Sequence, residues 1–218
     1  MRCIHHLESI ILRKVIYFFL LICSLDPIGA KADVSFDCRT AKVTAEKLVC
    51  GNKTLSDLDG ELGRIYRLIM HGKNASIADK KILKASQRGW IKGRNDCWKS
   101  VSELTCILSS YVVRISELRI GYVDAREIKE TNLSYGPIGL TCEGTKEQFW
   151  ITQLHTNERF ATVIGGSYIF VLSQVPTASG VKYQSQTDDV RASLWIKADV
   201  TVFQIRDGIA WNCTTFSP

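Results

Sequence analysis

The spacing of apolar residues changes near residue 120, and this change limits the fold of the 218-residue chain more than any other feature. Between residues 40 and 119, apolar side chains recur every three or four residues, as on one face of an amphipathic helix. From residue 138 they fall in short runs rich in β-branched and aromatic residues, separated by turn formers. The sequence therefore predicts an α+β protein of two domains, a helical domain over 33–120 and a strand-rich domain over 138–218.

Four helices account for the first half of the chain. Thr54 and Asp57 have the spacing of a capping box, in which each side chain bonds an unpaired backbone N–H of the first turn. Ser100 and Glu103 have the same spacing before the last helical segment. The predicted helices cover residues 43–50, 54–71, 76–95 and 100–118. Their common core is small, so we expect disulfides to brace it.

The second half is typical of a small antiparallel barrel or sandwich of seven or eight short strands. Residues 121–137 are polar and without period, and we interpret them as a linker. Gly165 with Gly166 is one of several turn signals between the apolar runs. The runs predicted as strands are 138–142, 148–154, 160–164, 168–175, 194–197, 200–205 and 209–213.

The cysteines indicate a disulfide-bonded, exported chain. Six of the eight follow residue 32, and an even set in an exported protein is typical of three disulfides. They are Cys38, Cys50, Cys97, Cys106, Cys142 and Cys213. Cys142 begins the strand-rich region and Cys213 ends it, so we expect this pair to join the first strand to the last.

The other four cysteines permit three pairings. Cys38 and Cys50 flank the short first helix, and we expect them to lie too far apart along it to bond each other. We therefore favour Cys50–Cys97 and Cys38–Cys106. Metal binding would need close Cys or His pairs, which the chain lacks after residue 32, so we expect neither a metal nor another cofactor.

Residues 1–32 have the pattern of a secretory signal. Two basic residues precede an apolar run over 15–25, which is about half of the roughly 20 residues that span a bilayer. Alanines at 30 and 32 suit a signal peptidase. We therefore expect export to the periplasm. Lipid anchoring through Cys23 is the disfavoured alternative, because the bulky Ile22 precedes that cysteine.

Charge is divided unevenly after the leader. Residues 33–137 hold 18 basic and 13 acidic residues, whereas residues 138–218 hold 6 basic and 7 acidic residues. The helical half is thus the cationic one, which suits association with an anionic membrane surface or with peptidoglycan. No block of like charge resembles a nucleic-acid-binding tail, and we expect no nucleic-acid partner.

Enzyme chemistry finds no support in the sequence. It contains no nucleophile elbow, no Ser, His and Asp set with plausible roles, no phosphate loop and no metal cluster. The carboxylates are scattered, and most of them lie on the surfaces of the predicted helices. We therefore expect a protein that binds rather than one that catalyses.

The helical half carries an ordered set of residues over about 85 positions. They are residues 35–38 and 46–50, Leu55, Leu58, Asp59, Tyr66, Gln87, Arg88, Trp90, Arg94, Asn95, Cys97 and Cys106. On this set it resembles the LprI family, helical modules of secreted bacterial proteins, some of which are associated with lysozyme inhibition. Arg88, Trp90, Arg94 and Trp98 form either a binding patch or one buried aromatic beside a solvated basic face, and we favour the second interpretation.

The strand-rich half carries Cys142, a Ser-Gly-x-x-Tyr sequence over 179–183, a Trp-x-Lys sequence over 195–197 and Cys213. On these residues it resembles the MliC family of membrane-bound or periplasmic inhibitors of C-type lysozyme. The resemblance implies an eight-stranded antiparallel β-barrel that occludes the lysozyme cleft. Its partner would then be a C-type lysozyme, and the alternative is a non-inhibitory envelope module that binds a cell-wall or host component.

The MliC resemblance also implies which residues contact the enzyme. A serine of the loop and a lysine of the following strand reach the two catalytic carboxylates in that family, and they correspond here to Ser179 and Lys197. Gly180, Lys182 and Tyr183 complete the implied lysozyme-binding set, although barrel packing is the favoured interpretation of Tyr183. The family's Trp-x-Lys is usually followed by glycine, where this sequence has alanine.

Overall fold

The helices lie where the apolar spacing predicts them. The computed structural model describes residues 34–126, 133–185, 191–206, 208 and 210–218, so the predicted leader lies outside the described residues. The helices are α1 (Thr44–Gly51), α2 (Lys53–His71), α3 (Ile77–Asn95) and α4 (Glu103–Gly121). Short 3-10 turns cover Cys38–Thr40, Asp96–Lys99 and Val123–Arg126.

Two of the helix starts differ from the prediction. Asn52 caps α2, because its side-chain oxygen accepts a hydrogen bond from the Leu55 N–H at 3.0 Å, so Thr54 lies inside the first turn. Ser102 caps α4 through the Thr105 N–H, two residues after the predicted start. Both corrections have the same cause: several polar residues stand near each helix start, and spacing alone does not decide which of them turns towards the free N–H groups.

The second half is the closed antiparallel barrel of eight strands that the sequence predicts. Each strand pairs with its neighbour in the chain, and β1 pairs with β8 to close the barrel. The strands are β1 (Ser134–Cys142), β2 (Gln148–His155), β3 (Arg159–Gly165), β4 (Tyr168–Val175), β5 (Val181–Ser185), β6 (Ala192–Lys197), β7 (Val200–Ile205) and β8 (Ala210–Phe216). β5 is absent from the predicted runs, and β1 begins four residues before the predicted start.

The barrel disulfide is confirmed. Cys142 and Cys213 face each other in the β1–β8 register and are bonded, with their Cα atoms 4.0 Å apart. This bond lies on the strand pair that closes the barrel, so it links the two ends of the sheet covalently.

The pairing favoured for the other four cysteines is wrong. The bonds are Cys38–Cys50 and Cys97–Cys106, with Cα separations of 5.8 and 5.6 Å. α1 has eight residues and is about 12 Å long, a distance that residues 38–43 cover as they run back along it. Cys38 therefore lies beside the far end of the helix. Each bond closes a short local loop instead of joining distant helices.

The helices cover one wall of the barrel and share a core with it. α4 packs against β1, β2, β3 and β4. Leu154 and Phe160, from the outer side of the barrel wall, belong to the helical core, while a second core fills the barrel interior. A hydrogen bond of 2.8 Å joins the hydroxyls of Ser116 on α4 and Thr162 on β3. In the described part of the chain, no helix is long and apolar enough to cross a bilayer.

Candidate functional site

Three turns meet at one end of the barrel, and we call them the turn rim: residues 156–158, 176–180 and 198–199. They lie together because β2, β4 and β6 all end there and the strands that follow begin there. Ser179 and Gly180 belong to the second turn, and Lys197 is the last residue of β6. The barrel thus brings the predicted serine and lysine, 18 positions apart in sequence, to the same end.

Gly180 sets how closely the second turn approaches β6. Its φ is +70°, a conformation that favours glycine. A Cβ at this position would lie 2.4 Å from the Ile196 carbonyl oxygen and 3.0 Å from the Lys197 Cβ. The turn therefore rests directly on the end of β6, and only glycine fits the contact.

Ser179 is half-buried, and its backbone is anchored. Its carbonyl oxygen accepts hydrogen bonds from the Trp195 indole N–H at 2.9 Å and from the Thr177 hydroxyl at 3.3 Å. The Ser179 hydroxyl makes no hydrogen bond to any residue that the structure describes. Its donor and its acceptor sites are therefore available to a partner.

Lys197 is exposed beside this turn. Its Nζ lies 5.7 Å from the centroid of the Trp195 ring, within the range of a cation–π contact. Within the described ranges, no carboxylate forms an ion pair with it. Trp195 thus contacts both candidate residues, holding the Ser179 carbonyl through its N–H and facing the Lys197 ammonium with its ring.

Lys182 and Tyr183 stand on opposite faces of β5. Lys182 pairs with Trp195 across the sheet and is partly exposed. Tyr183 points into the barrel, is only 2% exposed and hydrogen-bonds Gln153, and its burial raises the pKa of its hydroxyl. Its place among the lysozyme-binding residues is therefore corrected: Tyr183 packs the barrel interior, and no partner can touch its ring from outside.

A groove of about 610 Å³ runs beside Gly180, between the first two turns of the rim. Glu158, Arg159 and Gln174 line it. Sequence reasoning missed these residues, and their only signal is that polar residues follow β2. Arg159 also faces His155 across the β2–β3 pair, and burial together with this cation lowers the histidine pKa.

The tryptophan and arginine residues singled out in the helical half do not form one surface patch. Arg94 is only 5% exposed, whereas Arg88 is exposed and Trp98 is 61% exposed. Arg94 donates to the Tyr111 hydroxyl at 2.5 Å, and Tyr111 donates to Asp59 at 2.8 Å. This buried chain joins α2, α3 and α4, so Arg94 is part of the helical interior.

Metal binding gains no candidate from the structure. In the ranges it describes, no group of three or more His, Cys, Asp and Glu side chains could hold an ion. The candidate site is the exposed turn rim with its adjacent groove.

Comparison with known proteins finds relatives of the helical half. Residues 37–118 match the family described as Lysozyme inhibitor LprI. Lipoprotein LprI of Mycobacterium bovis and of two strains of Mycobacterium tuberculosis are each 29% identical over 90 residues. The match covers 41% of this chain and 43% of each relative, so the chain spans less than half the length of these curated proteins. No solved structure matches the chain significantly, and the MliC family gives no match.

Proposed function

We propose that this protein inhibits C-type lysozyme by placing the turn rim in the enzyme's active-site cleft. The observation that carries the proposal is the position of Ser179 and Lys197, which lie at the same barrel end with an unbonded hydroxyl and an unpaired ammonium group among the described residues. The match of residues 37–118 to a lysozyme-inhibitor family independently supports the inhibitory role, although it concerns the helical half and not the rim.

The two side chains suit the chemistry of a lysozyme cleft. Such an enzyme uses one carboxylic acid with a raised pKa and one ionised carboxylate. A serine hydroxyl can hydrogen-bond the acid, and an ammonium can pair with the carboxylate once water is excluded. Neither group offers a bond that the enzyme can cleave, so the complex blocks the cleft without being turned over.

The shape and charge of the rim agree with insertion into a cleft. Trp195 and Gly180 hold the second turn against β6, so few internal motions need to be frozen on binding. Among the described residues at this end, three basic side chains, Arg159, Lys182 and Lys197, outnumber the acidic Glu158 and Asp199. The rim is thus locally cationic, although its half of the chain carries a slight negative charge, and a cationic tip suits a carboxylate-containing cleft.

A muramidase assay tests the proposal with the full chain. We expect Ser179→Ala with Lys197→Ala to weaken inhibition at least tenfold. The matched control removes the same two residue types at the opposite barrel end, through Ser167→Ala with Lys146→Ala, and we expect it to inhibit like the wild type. Full lysozyme activity with excess wild-type protein, or equal inhibition by both double variants, would contradict the proposal.

We also place the protein in the bacterial envelope, in the periplasm. The curated relatives are lipoproteins by name, and the leader pattern over 1–32 agrees with export.

Four exposed cations lie along one face of α3 at helical spacing: Lys81, Lys84, Arg88 and Lys92. They support association with an anionic membrane surface or peptidoglycan. Sedimentation of the whole protein with anionic vesicles and with peptidoglycan, at low and at high salt, tests this, and failure to bind either of them at low salt would refute it.

A further inference from the structure

The helical half contains a second concave site that lysozyme inhibition at the turn rim does not use. It is a pocket of about 340 Å³ between α2, α3 and the segment before α1, and we call it the helical pocket. Its walls and floor include Phe36, Asp59, Tyr66, Gln87, Trp90 and Arg94. All six belong to the residues that carry the LprI resemblance, although they are spread over 59 positions of sequence. The pocket volume lies within the range of small-molecule sites.

Three aromatic side chains form the apolar part of the pocket. Phe36, Tyr66 and Trp90 are each only partly buried, so part of each ring faces the cavity. Trp90 is held in place, because its indole N–H donates to the Ser110 carbonyl and its ring meets Tyr111 edge-on at 5.0 Å. Fixed aromatic walls bind the flat apolar face of a ligand at little cost in side-chain entropy.

The polar part of the pocket is also held in place. Asp59 accepts from the Ser35 N–H at 2.6 Å and from the Tyr111 hydroxyl. The Arg94 guanidinium donates to Tyr111 and to the Asn95 side chain, and these bonds use three of its five N–H groups. Arg94 lines the cavity, and two of its five N–H groups have no hydrogen-bond partner among the described residues.

The charges of the lining cancel. Glu46 and Asp59 are acidic, and Arg67 and Arg94 are basic. Such a lining selects neither an anion nor a cation, but it offers both strong acceptors and strong donors. A ligand that suits it has no net charge, hydroxyl groups that donate and accept, and flat C–H faces that lie against aromatic rings.

We propose that the helical pocket binds a neutral saccharide, with a pyranose ring against Tyr66 and Trp90 and hydroxyls bonded to Arg94, Arg67 and Gln87. Gln87 supports this role, because its carbonyl oxygen accepts from Arg114 at 3.1 Å and its NH₂ group remains as a donor. The site is separate from the turn rim, so the proposal does not depend on lysozyme inhibition.

Titration calorimetry with the whole mature protein tests the proposal in the absence of lysozyme. The probes are tri-N-acetylchitotriose, an amino sugar of the kind found in cell walls, and maltotriose, a plain glucan. We expect saturable binding of at least one of them. Binding of chitotriose alone assigns the pocket to amino sugars, and equal binding of both assigns it to neutral glycans in general.

Variants at the pocket edge complete the test. Tyr66→Ala removes an aromatic wall and Arg67→Ala removes an exposed guanidinium, and we expect each to weaken binding at least tenfold. Arg88→Ala makes the same charge change on the exposed face of α3 and should bind like the wild type. Near-UV circular dichroism checks folding, and Arg67→Ala keeps the test decisive if Tyr66→Ala fails to fold. Absence of saturable wild-type binding, or unchanged binding by Arg67→Ala, would overturn the proposal.

Discussion

Two residues of the turn rim, Gly180 and Ala198, have backbone conformations that favour glycine, but only the first of them is a glycine. Gly180 has φ +70° and Ala198 has φ +48°. The second position is the one where the resemblance to MliC leads us to expect glycine. The structure explains that expectation, because the two-residue connection between β6 and β7 takes the chain through the left-handed region. Alanine there keeps the same path at the expense of strain.

Ala198→Gly should therefore stabilise the protein. Relief of the left-handed strain is worth about 1 kcal/mol, and we expect the free energy of unfolding measured in urea to rise by this order. Ala178→Gly is the matched control, since Ala178 lies in a neighbouring turn without a positive φ and should gain nothing. A loss of stability in Ala198→Gly would show that the connection is not strained.

Gly180→Ala should have the opposite effect. The added Cβ meets the Ile196 carbonyl oxygen at 2.4 Å, and the residue would also keep an unfavourable φ. We expect a loss of about 2 kcal/mol or more in unfolding free energy, together with weaker lysozyme inhibition because the turn moves off β6. Gly89→Ala in α3, where nothing lies within 4 Å of the new Cβ, should leave inhibition unchanged. Equal inhibition by the two variants would contradict this account of the rim.

At the scale of elements, β5 is the strand that the apolar pattern of the sequence did not predict. Its sequence, VKYQS, contains only two apolar residues, and no run of apolar side chains marks it. It is a strand because β4 and β6 both supply backbone partners for it. The implied Ser-Gly-x-x-Tyr loop is therefore a turn followed by a strand, which is why Ser179 is partly exposed and Tyr183 lies inside.

The disulfides should contribute unequally to stability. The barrel bond spans a sequence separation of 71, and the Cys97–Cys106 bond spans 9. By chain entropy alone, loss of the first costs about 4 kcal/mol and loss of the second about 3 kcal/mol. We expect Cys142→Ala with Cys213→Ala to lower the unfolding free energy more than Cys97→Ala with Cys106→Ala. Urea denaturation measures both, and the reverse order would refute the expectation.

At the scale of the whole molecule, the helices and the barrel are coupled through a shared core and a polar network. Arg119 on α4 is fully buried and donates to the Gly136 carbonyl at 2.7 Å and to the Ser134 hydroxyl at 3.2 Å. Ser134 in turn donates to Glu61 on α2. These bonds tie two helices to the start of β1, so the helical half braces the barrel that carries the turn rim.

Phe160→Ala tests this coupling. Phe160 lies on β3 but packs in the helical core, and its truncation should cost about 3–4 kcal/mol. We expect the far-UV and the near-UV circular dichroism signals to be lost in one transition. Its midpoint should lie at a lower urea concentration than in the wild type. Phe170→Ala truncates the barrel core instead. It should also shift the single transition of both signals to a lower urea concentration. Two separate transitions in the wild type would show that the halves unfold independently.

The sequence alone determined the local structure of this protein. Apolar period depends on neighbours within a few residues, so it predicted four helices and most of the strands. The barrel closure by Cys142 and Cys213 was also predicted, because the first and last strands of a small barrel must meet. Ser179 and Lys197 could be singled out by resemblance, and the structure places both at one end of the barrel.

Only the tertiary structure decided the features that depend on distances between remote residues. It turned Tyr183 into the barrel, placed Phe160 in the helical core and gathered Phe36, Asp59 and Arg94 around one pocket. No local pattern specifies these contacts, because they arise when whole helices and strands bury their apolar faces together.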